Sequence, residues 1–555
     1  MDRTKIRWNG WGAVARSDEL AAREDVWAWL AGELGMPTLL ATPARPLDEI
    51  ALAPSRLTPE HKQHFETVIG ADGVRTGPYE RAFHALGDSY HDLLRLRAGD
   101  LAMAPDAVLY PRNGDDVLAL LRYASDSDIA VIPFGGGTTV VGGVSGVTEP
   151  FKAAVSLDLS GLNRVLDIDT NAGLAVAETG IYGPALEKAL GMNGVTLGHF
   201  PQSFEYSSLG GWIAHRGAGQ SSHGYGRAED WLVALKLATP RGLLATQDFP
   251  PNAVGPDLND IALGSEGVFG VITEATVRIR PAPRVRDYRG WLFRDFASGT
   301  AAMRLAALVG LPVTMLRLSD TEETRFYRAL GSVGKTAGLI GGLQNRYLKQ
   351  RGFGVGMCIL IAGFEGERDA VAASAKHFAK IARGSGALPI GKSQGERWLQ
   401  GRFHGPYARD PMMDRGLGVD TLETAASWPK LAGLYAAVRT ALETSIAANV
   451  PRPGARGVVM CHISHFYRHG ASLYFTYIFP RQLDNEIAQW RAIKTAASDA
   501  IAANGGTISH HHGVGEDHLP WMAPEKGALG LDVLRAIKHT LDPKGVMNPG
   551  KLIPD

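Results

Sequence analysis

The run Ile129-Ala130-Val131-Ile132-Pro133-Phe134, followed at once by Gly135-Gly136-Gly137-Thr138-Thr139, constrains this chain more than any other feature. An apolar segment of strand length delivers the backbone into three glycines, where positive φ and close approach of a ligand are both permitted. Successive N–H groups and two hydroxyls in such a loop can cradle a phosphate or diphosphate. No Gly-Lys-Ser/Thr closes it, as in a Walker loop, and the GxGxxG spacing of a Rossmann fingerprint is absent. Alone, such a turn is more often structural. A second cluster shifts the balance: residues 198–227, GHFPQSFEYSSLGGWIAHRGAGQSSHGYGR, are too rich in Gly, Ser and His for a core element. They are also too apolar at Phe204, Trp212 and Ile213 for a solvated linker. Buried backbone of this kind needs hydrogen-bond partners, and a bound cofactor supplies them economically.

Around these loops the organisation is that of a two-domain α+β protein. The helix candidate DDVLALLRYASD, the alternating runs AVSLDLS and GLAVAETG, and the strand-turn WLVALKLATPRG mark a mixed α/β domain over 101–282. Beyond it, Ala-rich helices alternate with apolar strands such as GMCILIAGFEGE and SLYFTYIF, so 283–500 reads as a second, α+β domain. Residues 1–100 read as an N-terminal helical arm, and 501–555 as a helix with an extended tail that packs back. Lys+Arg 57 against Asp+Glu 57 leaves no global pull toward nucleic acid, so a charged ligand must be held by a local pocket. The two cysteines, Cys358 and Cys461, support neither a disulfide framework nor a cysteine-rich zinc site. No apolar run approaches the roughly 18 to 20 residues of a spanning helix, and no signal peptide or peroxisomal address is legible, so a cytoplasmic setting is expected.

Three further motifs carry possible chemistry. Ser509-His510-His511-His512-Gly513-Val514-Gly515 places three histidines ahead of a glycine turn. If this is strand, His510 and His512 share one face and His511 the other. A metal reading lacks a third ligand, so an acid/base or hydrogen-bonding cluster ranks above it and no metal is expected. In Tyr407-Ala408-Arg409-Asp410 the arginine can clamp a phosphate or carboxylate, or form a surface ion pair. Cys461-His462-Ile463-Ser464-His465 leads into Leu473-Tyr474-Phe475-Thr476-Tyr477, where Tyr474 and Tyr477 face opposite ways and periodicity does not choose between them.

With these pieces placed, the chain resembles the flavin enzymes of the vanillyl-alcohol-oxidase type, and within them the alkyldihydroxyacetonephosphate synthase (alkylglycerone-phosphate synthase) branch. The residues that carry the match are Trp8-Asn9-Gly10-Trp11-Gly12, PFGGGTT, GHFPQSFEYSSLGGWIAHR, Ser265-Glu266-Gly267-Val268-Phe269-Gly270-Val271-Ile272, Leu316 beside Arg317, YARD at 407–410, and HHHGVG. The resemblance implies an FAD-binding domain over 101–282, a cap domain over 283–500, and a C-terminal segment returning to the flavin site. It implies that FAD is held by Pro133, Phe134, Gly135, Gly136, Gly137, Thr138 and Thr139 at the diphosphate. Gln202, Ser203, Phe204, Glu205, Tyr206, Ser207 and Ser208, with His215, Arg216, Gly217 and Ala218, would run along the dinucleotide, and Glu266, Gly267, Val268, Phe269, Gly270, Val271 and Ile272 would complete the site. Arg409 would take the substrate phosphate, Tyr474 would serve as acid/base, and His199, His510, His511 and His512 would line the reaction centre.

The activity so implied is redox-neutral exchange of the acyl group of acyl-dihydroxyacetone phosphate for a long-chain fatty alcohol, through a flavin N5 adduct, by a homodimer. Two departures stand out: Glu516-Asp517-His518 follows HHHGVG where the family has a basic stretch, and Ser208 replaces the family's threonine. Residues 335–353, with Lys335, Arg346, Lys349 and Arg351 among apolar residues, are a candidate peripheral membrane contact. The chief rival is an FAD-dependent 2-hydroxy-acid dehydrogenase or oxidase, against which His511 in place of an acid argues. A non-catalytic flavin-binding scaffold is the second alternative.

Overall fold

The computed structural model describes residues 3–16, 19–334 and 346–554, and three sheets organise them. Strands β1 (Val74–Arg75), β2 (Ala107–Leu109), β3 (Ile129–Phe134) and β4 (Ala153–Asp158) lie in the order β1-β2-β4-β3. The last three are mutually parallel. Parallel strands are covered on both faces, which is why β4 is buried at every position. The helix Gly114–Asp126 crosses from β2 to β3. Asn113 caps it by accepting from the Asp116 N–H, and Val117, Leu120, Leu121 and Ala124 form its buried stripe. The outer edge of β3 is closed by the C-terminal tail: the Val131 N–H donates to the Val546 carbonyl at 2.8 Å and the Asn548 N–H to Val131 at 2.9 Å.

A second, antiparallel sheet contains β5 (Val165–Asp169), β6 (Leu174–Glu178), β8 (Leu232–Thr239), β9 (Gly242–Ala245) and β10 (Val271–Arg278), in the order β5-β6-β10-β8-β9. β7 (Val195–Thr196) and β11 (Arg280–Pro281) form a separate pair. The third sheet is antiparallel throughout: β12 (Val285–Phe293), β13 (Met315–Ser319), β14 (Cys358–Gly366), β15 (Leu388–Gly391), β16 (Leu417–Ser427), β17 (Val458–Ile463) and β18 (Gly470–Pro480). Their order is β15-β12-β14-β13-β17-β18-β16.

The largest core packs this third sheet against the helices Phe296–Leu308, Arg368–Gly384, Trp428–Ala448 and Glu486–Ala503. Along β18 the alternation is plain: Leu473, Phe475, Tyr477 and Phe479 enter that core, while Tyr474 and Thr476 are half-buried on the opposite face. The opposite face of this sheet is therefore available to build a site.

No described helix is long and apolar enough to cross a membrane. Of the basic segment 335–353, residues 335–345, with Lys335, lie outside the described residues, and 346–350 are helical.

Candidate active site

β3 hands the chain directly to the glycine loop. Gly137 adopts φ 71°, and a Cβ on Gly136 would overlap the Tyr206 carbonyl oxygen. The first two sequence-predicted cofactor stretches are therefore pressed together, backbone against backbone, which only glycine allows.

The N-terminal arm closes over them. The buried Arg3 guanidinium donates to Asp158 Oδ2 at 3.0 and 2.8 Å and to the Gly135 carbonyl at 2.7 Å. Residues of 6–12, with Phe83, Asp88, Gly136, Gly137, Thr138 and Tyr206, line a cleft beside the loop. Thr139 Oγ1 is buried with no protein partner. An open glycine loop, a lined cleft and an orphaned hydroxyl together fit the diphosphate of a dinucleotide.

The other sequence-predicted cofactor residues divide. Ser208 accepts from the Gly211 N–H and caps the helix Leu209–Ala214, so its hydroxyl serves the fold at this position. Gln202 donates to the Arg402 carbonyl, Ser207 bridges the Ser203 carbonyl and Trp212 Nε1, and Phe204 packs against Phe200 and Phe403. Glu205 and Tyr206 meet the Tyr407 hydroxyl at 3.2 and 3.1 Å. Arg216 turns outward toward Asp260 and Glu229, while His215 Nδ1 lies 3.2 Å from the His512 carbonyl. Val268 and Phe269 pack against Met522 and Leu552, and Val271 and Ile272 are core positions of β10.

YARD, distant in sequence, fastens the arm. Asp410 accepts from the Trp11 N–H at 2.9 Å and from Arg7, and the Arg16 guanidinium sits 3.8 Å over the Tyr407 ring. Arg409 instead reaches the loop below: its Nη1 donates to the Asp88 carbonyl at 2.8 Å, and its Nε is buried without a partner. Burial pushes the Asp88 carboxyl up to about 7, against the pull of Arg409.

The histidine run is not a strand, so the alternation that strand geometry would impose on its rings does not apply. The N–H groups of His510, His511 and His512 all converge on the Glu423 carboxylate, at 2.6, 3.0 and 2.9 Å, with the Ser509 hydroxyl at 2.8 Å. Strand amides point alternately to opposite sides and cannot do this. Glu266, at φ 51°, then accepts from the N–H groups of Val514 and Gly515 at 2.6 and 2.7 Å. The loop is thus suspended between a carboxylate on β16 and a carboxylate ahead of β10.

His510 Nδ1 lies 2.9 Å from His511 Nδ1, and the Tyr467 hydroxyl lies 2.6 Å from His510 Nε2. The fold also supplies the third imidazole that no spacing offered, because ring nitrogens of His465, His510 and His511 gather within 4.8 Å. Arg227, 3.2 Å from His510 Nε2, puts a fixed positive charge beside them. That charge opposes a cation and favours hydrogen bonding and proton transfer.

Tyr474 belongs to the same face. It stands opposite Glu423 on β16 and opposite His462 on β17, so the three form a row across neighbouring strands. Its ring stacks on His462 at 4.9 Å and lies 6.0 and 5.4 Å from His511 and His512. Tyr477 points the other way and donates to Asp420 at 2.8 Å in the core. Behind His462, Glu323 accepts from Arg317 at 2.8 Å. His199 lies between Trp212 and Trp231, accepts from Trp231 Nε1 at 3.3 Å, and keeps a buried, unpartnered Nε2.

Burial pushes His199 and His512 down to about 3, and lowers His510, His511 and His465 as well. The rings are neutral near pH 7. The Tyr474 phenol is pushed up to about 12, first by burial and then by the charges of Glu423 and Asp420.

The acidic departure after HHHGVG is compensated locally: Asp517 pairs with His91 at 2.7 Å, and Glu516 faces Ser145 at 2.9 Å and Lys551 at 3.8 Å. Sequence reasoning missed Glu423, Glu323, Arg227 and Arg3. The one available signal was a pair of acids, Asp420 and Glu423, an odd number apart and so on opposite faces of an otherwise apolar, small-residue and threonine strand, LGVDTLETAAS.

Two family models match the chain: "FAD binding domain" over 105–247 and "FAD linked oxidases, C-terminal domain" over 282–552. The alkyldihydroxyacetonephosphate synthase of Dictyostelium discoideum is 33% identical, over 99% of this chain and 94% of its own. That of Trypanosoma brucei brucei is 32% identical, over 99% of this chain and 92% of its own. A solved alkyldihydroxyacetonephosphate synthase superposes with a TM-score of 0.84 at 30% identity, covering 99% of both chains. The fold is the two-domain flavoprotein fold of vanillyl-alcohol-oxidase type, and the cofactor is FAD. This chain, an enzyme by its full-length relatives and by the glycine cradle and histidine face it builds, belongs to the alkyldihydroxyacetonephosphate synthase family.

Proposed function

We propose that this chain exchanges the acyl group of acyl-dihydroxyacetone phosphate for a long-chain fatty alcohol, forming the ether bond of ether lipids. The carbon–oxygen bond to the leaving carboxylate breaks, one to the alcohol oxygen forms, and the alcohol proton leaves with the fatty acid. No electron acceptor is consumed. The observation that carries the reading is the face built from Tyr474, His462, His465 and His510 to His512, where one phenol and several neutral imidazoles meet.

Bound FAD supplies the covalent chemistry at the substrate carbon; the residues of the chain do the rest. The loop 133–139 holds the diphosphate with its N–H groups, supported by the backbone of 202–208, 215–218 and 266–272. Arg409, with its free buried Nε, takes the substrate phosphate. Tyr474, protonated near pH 7, gives and retakes the proton at the reacting carbon, with His511 and His512 as its partners. His199, neutral and walled by tryptophans, excludes water and offers one nitrogen.

The setting proposed is cytoplasmic, which the free buried Cys358 and Cys461 suit. A homodimer follows from the resemblance. The exposed Arg346, Lys349 and Arg351 support peripheral contact with an anionic bilayer. Incubating the flavoprotein with acyl-dihydroxyacetone phosphate and a long-chain alcohol tests the function: alkyl product and fatty acid should appear in equal amounts. Bleaching of the flavin by a 2-hydroxy acid, with no ether formed, would refute it.

A further inference from the structure

We infer that Glu423 is the positioning residue of this site: its carboxylate fixes the histidine run through the backbone and supplies the counter-charge for His511 when that ring takes a proton. The inference rests on the proposed exchange and on the roles given there to Tyr474 and His511. Four donors from 509–512 end on this one side chain, and nothing else among the described residues holds those three amides.

The anion is fully buried, and His511 Nδ1 and His512 Nδ1 lie 3.6 and 3.9 Å from it. Burial opposes its charge, but the histidines and N–H groups around it hold the carboxyl well below the usual range, so it is ionised near pH 7. A buried anion needs compensation. Here compensation comes from amide dipoles that leave the imidazoles free to change state.

The surrounding charges set the direction of the effect. Arg227 resists protonation of His511, and Glu423 is the charge that favours it. At Tyr474, Asp420 and Glu423 raise the phenol while Arg409 and the Thr421 hydroxyl lower it. Lys494 and His518 bear on His512. His462, opposite Tyr474, is already committed to Glu323. Removing the charge at 423 therefore moves His511 and Tyr474 the same way, toward lower pKa. Loss of loop geometry alone would expose the ring and relieve the burial that depresses His511, moving it the other way, upward.

The test is E423Q in the full-length flavoprotein. Its amide oxygen can still accept the Ser509 hydroxyl and the His511 and His512 N–H groups that end on Oε1, while the NH2 replaces the acceptor of the His510 N–H and the charge is gone. Two readouts are taken: ring titration of ¹⁵N-histidine-labelled protein, which needs no turnover, and the pH profile of ether formation. The expected result is a downward shift of His511 by roughly one to three units, with the phenol-controlled limb moving the same way. Turnover should fall on the order of 10²-fold. E423D keeps the charge one methylene further back, so turnover falls while the limbs stay near wild type.

Lower turnover with unmoved titrations would overturn the counter-charge, and undiminished turnover would overturn the positioning. If E423Q does not fold, E423D decides, because wild-type turnover there overturns the inference. Absence of ether product from the wild-type enzyme refutes the proposed function instead, while the ring titration still reports on Glu423.

Discussion

Replacing Arg3 with alanine tests whether the arm is part of the cofactor site. The Arg3 side chain is 4% exposed and Asp158 is 0% exposed. Two hydrogen bonds join them, and a third runs from Arg3 to the Gly135 carbonyl, inside the glycine loop. The guanidinium also lies 5.2 to 5.6 Å from the rings of Phe83, Phe134 and Tyr182. Removing one partner of a buried ion pair leaves the other uncompensated, at a cost of about 3–5 kcal/mol.

His84 Nε2, 2.9 Å from Asp158, and the Ser160 N–H remain to hold the carboxylate, which places R3A at the lower end, about 3 kcal/mol. A domain of marginal stability loses much of its margin by that amount. Denaturant unfolding followed in parallel by circular dichroism and by flavin fluorescence reads both consequences, and FAD should leave R3A at lower denaturant than the wild type. D158N provides the cycle: the double variant should be less destabilised than the two singles summed, by about 1 kcal/mol or more. The pair holds the Asp158 carboxyl low, so its contribution is present above the ordinary aspartate pKa and lost as pH falls toward the native value. The R3A deficit should therefore shrink in acid. A loss under about 0.5 kcal/mol, the spread of neutral surface changes, or additive singles would refute this anchoring.

Other outcomes follow from the same geometry. Gly136→Ala places a methyl on the Tyr206 carbonyl, so the loop and 206–208 must part, costing about 1–3 kcal/mol and FAD retention, read by absorbance after gel filtration. Tyr474→Phe keeps FAD and fold but lowers turnover by roughly 10²- to 10⁴-fold. At His91, burial opposes the charge, but the Asp517 hydrogen bond, Asp92 and Glu516 outweigh it and raise the ring to about 9. That contribution is complete below the ordinary histidine pKa of about 6.5 and lost as pH rises through 9. Stability measured between pH 6 and 10 should fall in that window, and H91Q should flatten it.

The sequence showed most where local pattern and backbone chemistry agree. PFGGGTT stated its own requirement, since a strand ending in three glycines has few uses, and the structure places it against 206–208 as tightly as glycine allows. The alternation in β18 separated Tyr474 from Tyr477 but not the site from the core, because that choice depends on which face the helices cover. The conformation of the histidine run stayed open in the sequence, where strand was only a condition, because it is set by Glu423, which is remote in sequence. Arg3 was invisible for the same reason: an arginine in a polar arm reads as solvated until Asp158 is seen beneath it. YARD was weighed as clamp or surface pair, and three of its members turn out to divide the work, with Tyr407 and Asp410 on the arm and Arg409 on the 88 loop.

The origin of the ether oxygen tests the central claim most directly. The purified flavoprotein is given acyl-dihydroxyacetone phosphate and a long-chain alcohol labelled with ¹⁸O, and the products are weighed by mass spectrometry. Exchange of acyl for alcohol requires an alkyl product that keeps the label, one unlabelled fatty acid for each ether, and no consumption of an electron acceptor. An unlabelled product, or no ether at all while a 2-hydroxy acid bleaches the flavin, would contradict it.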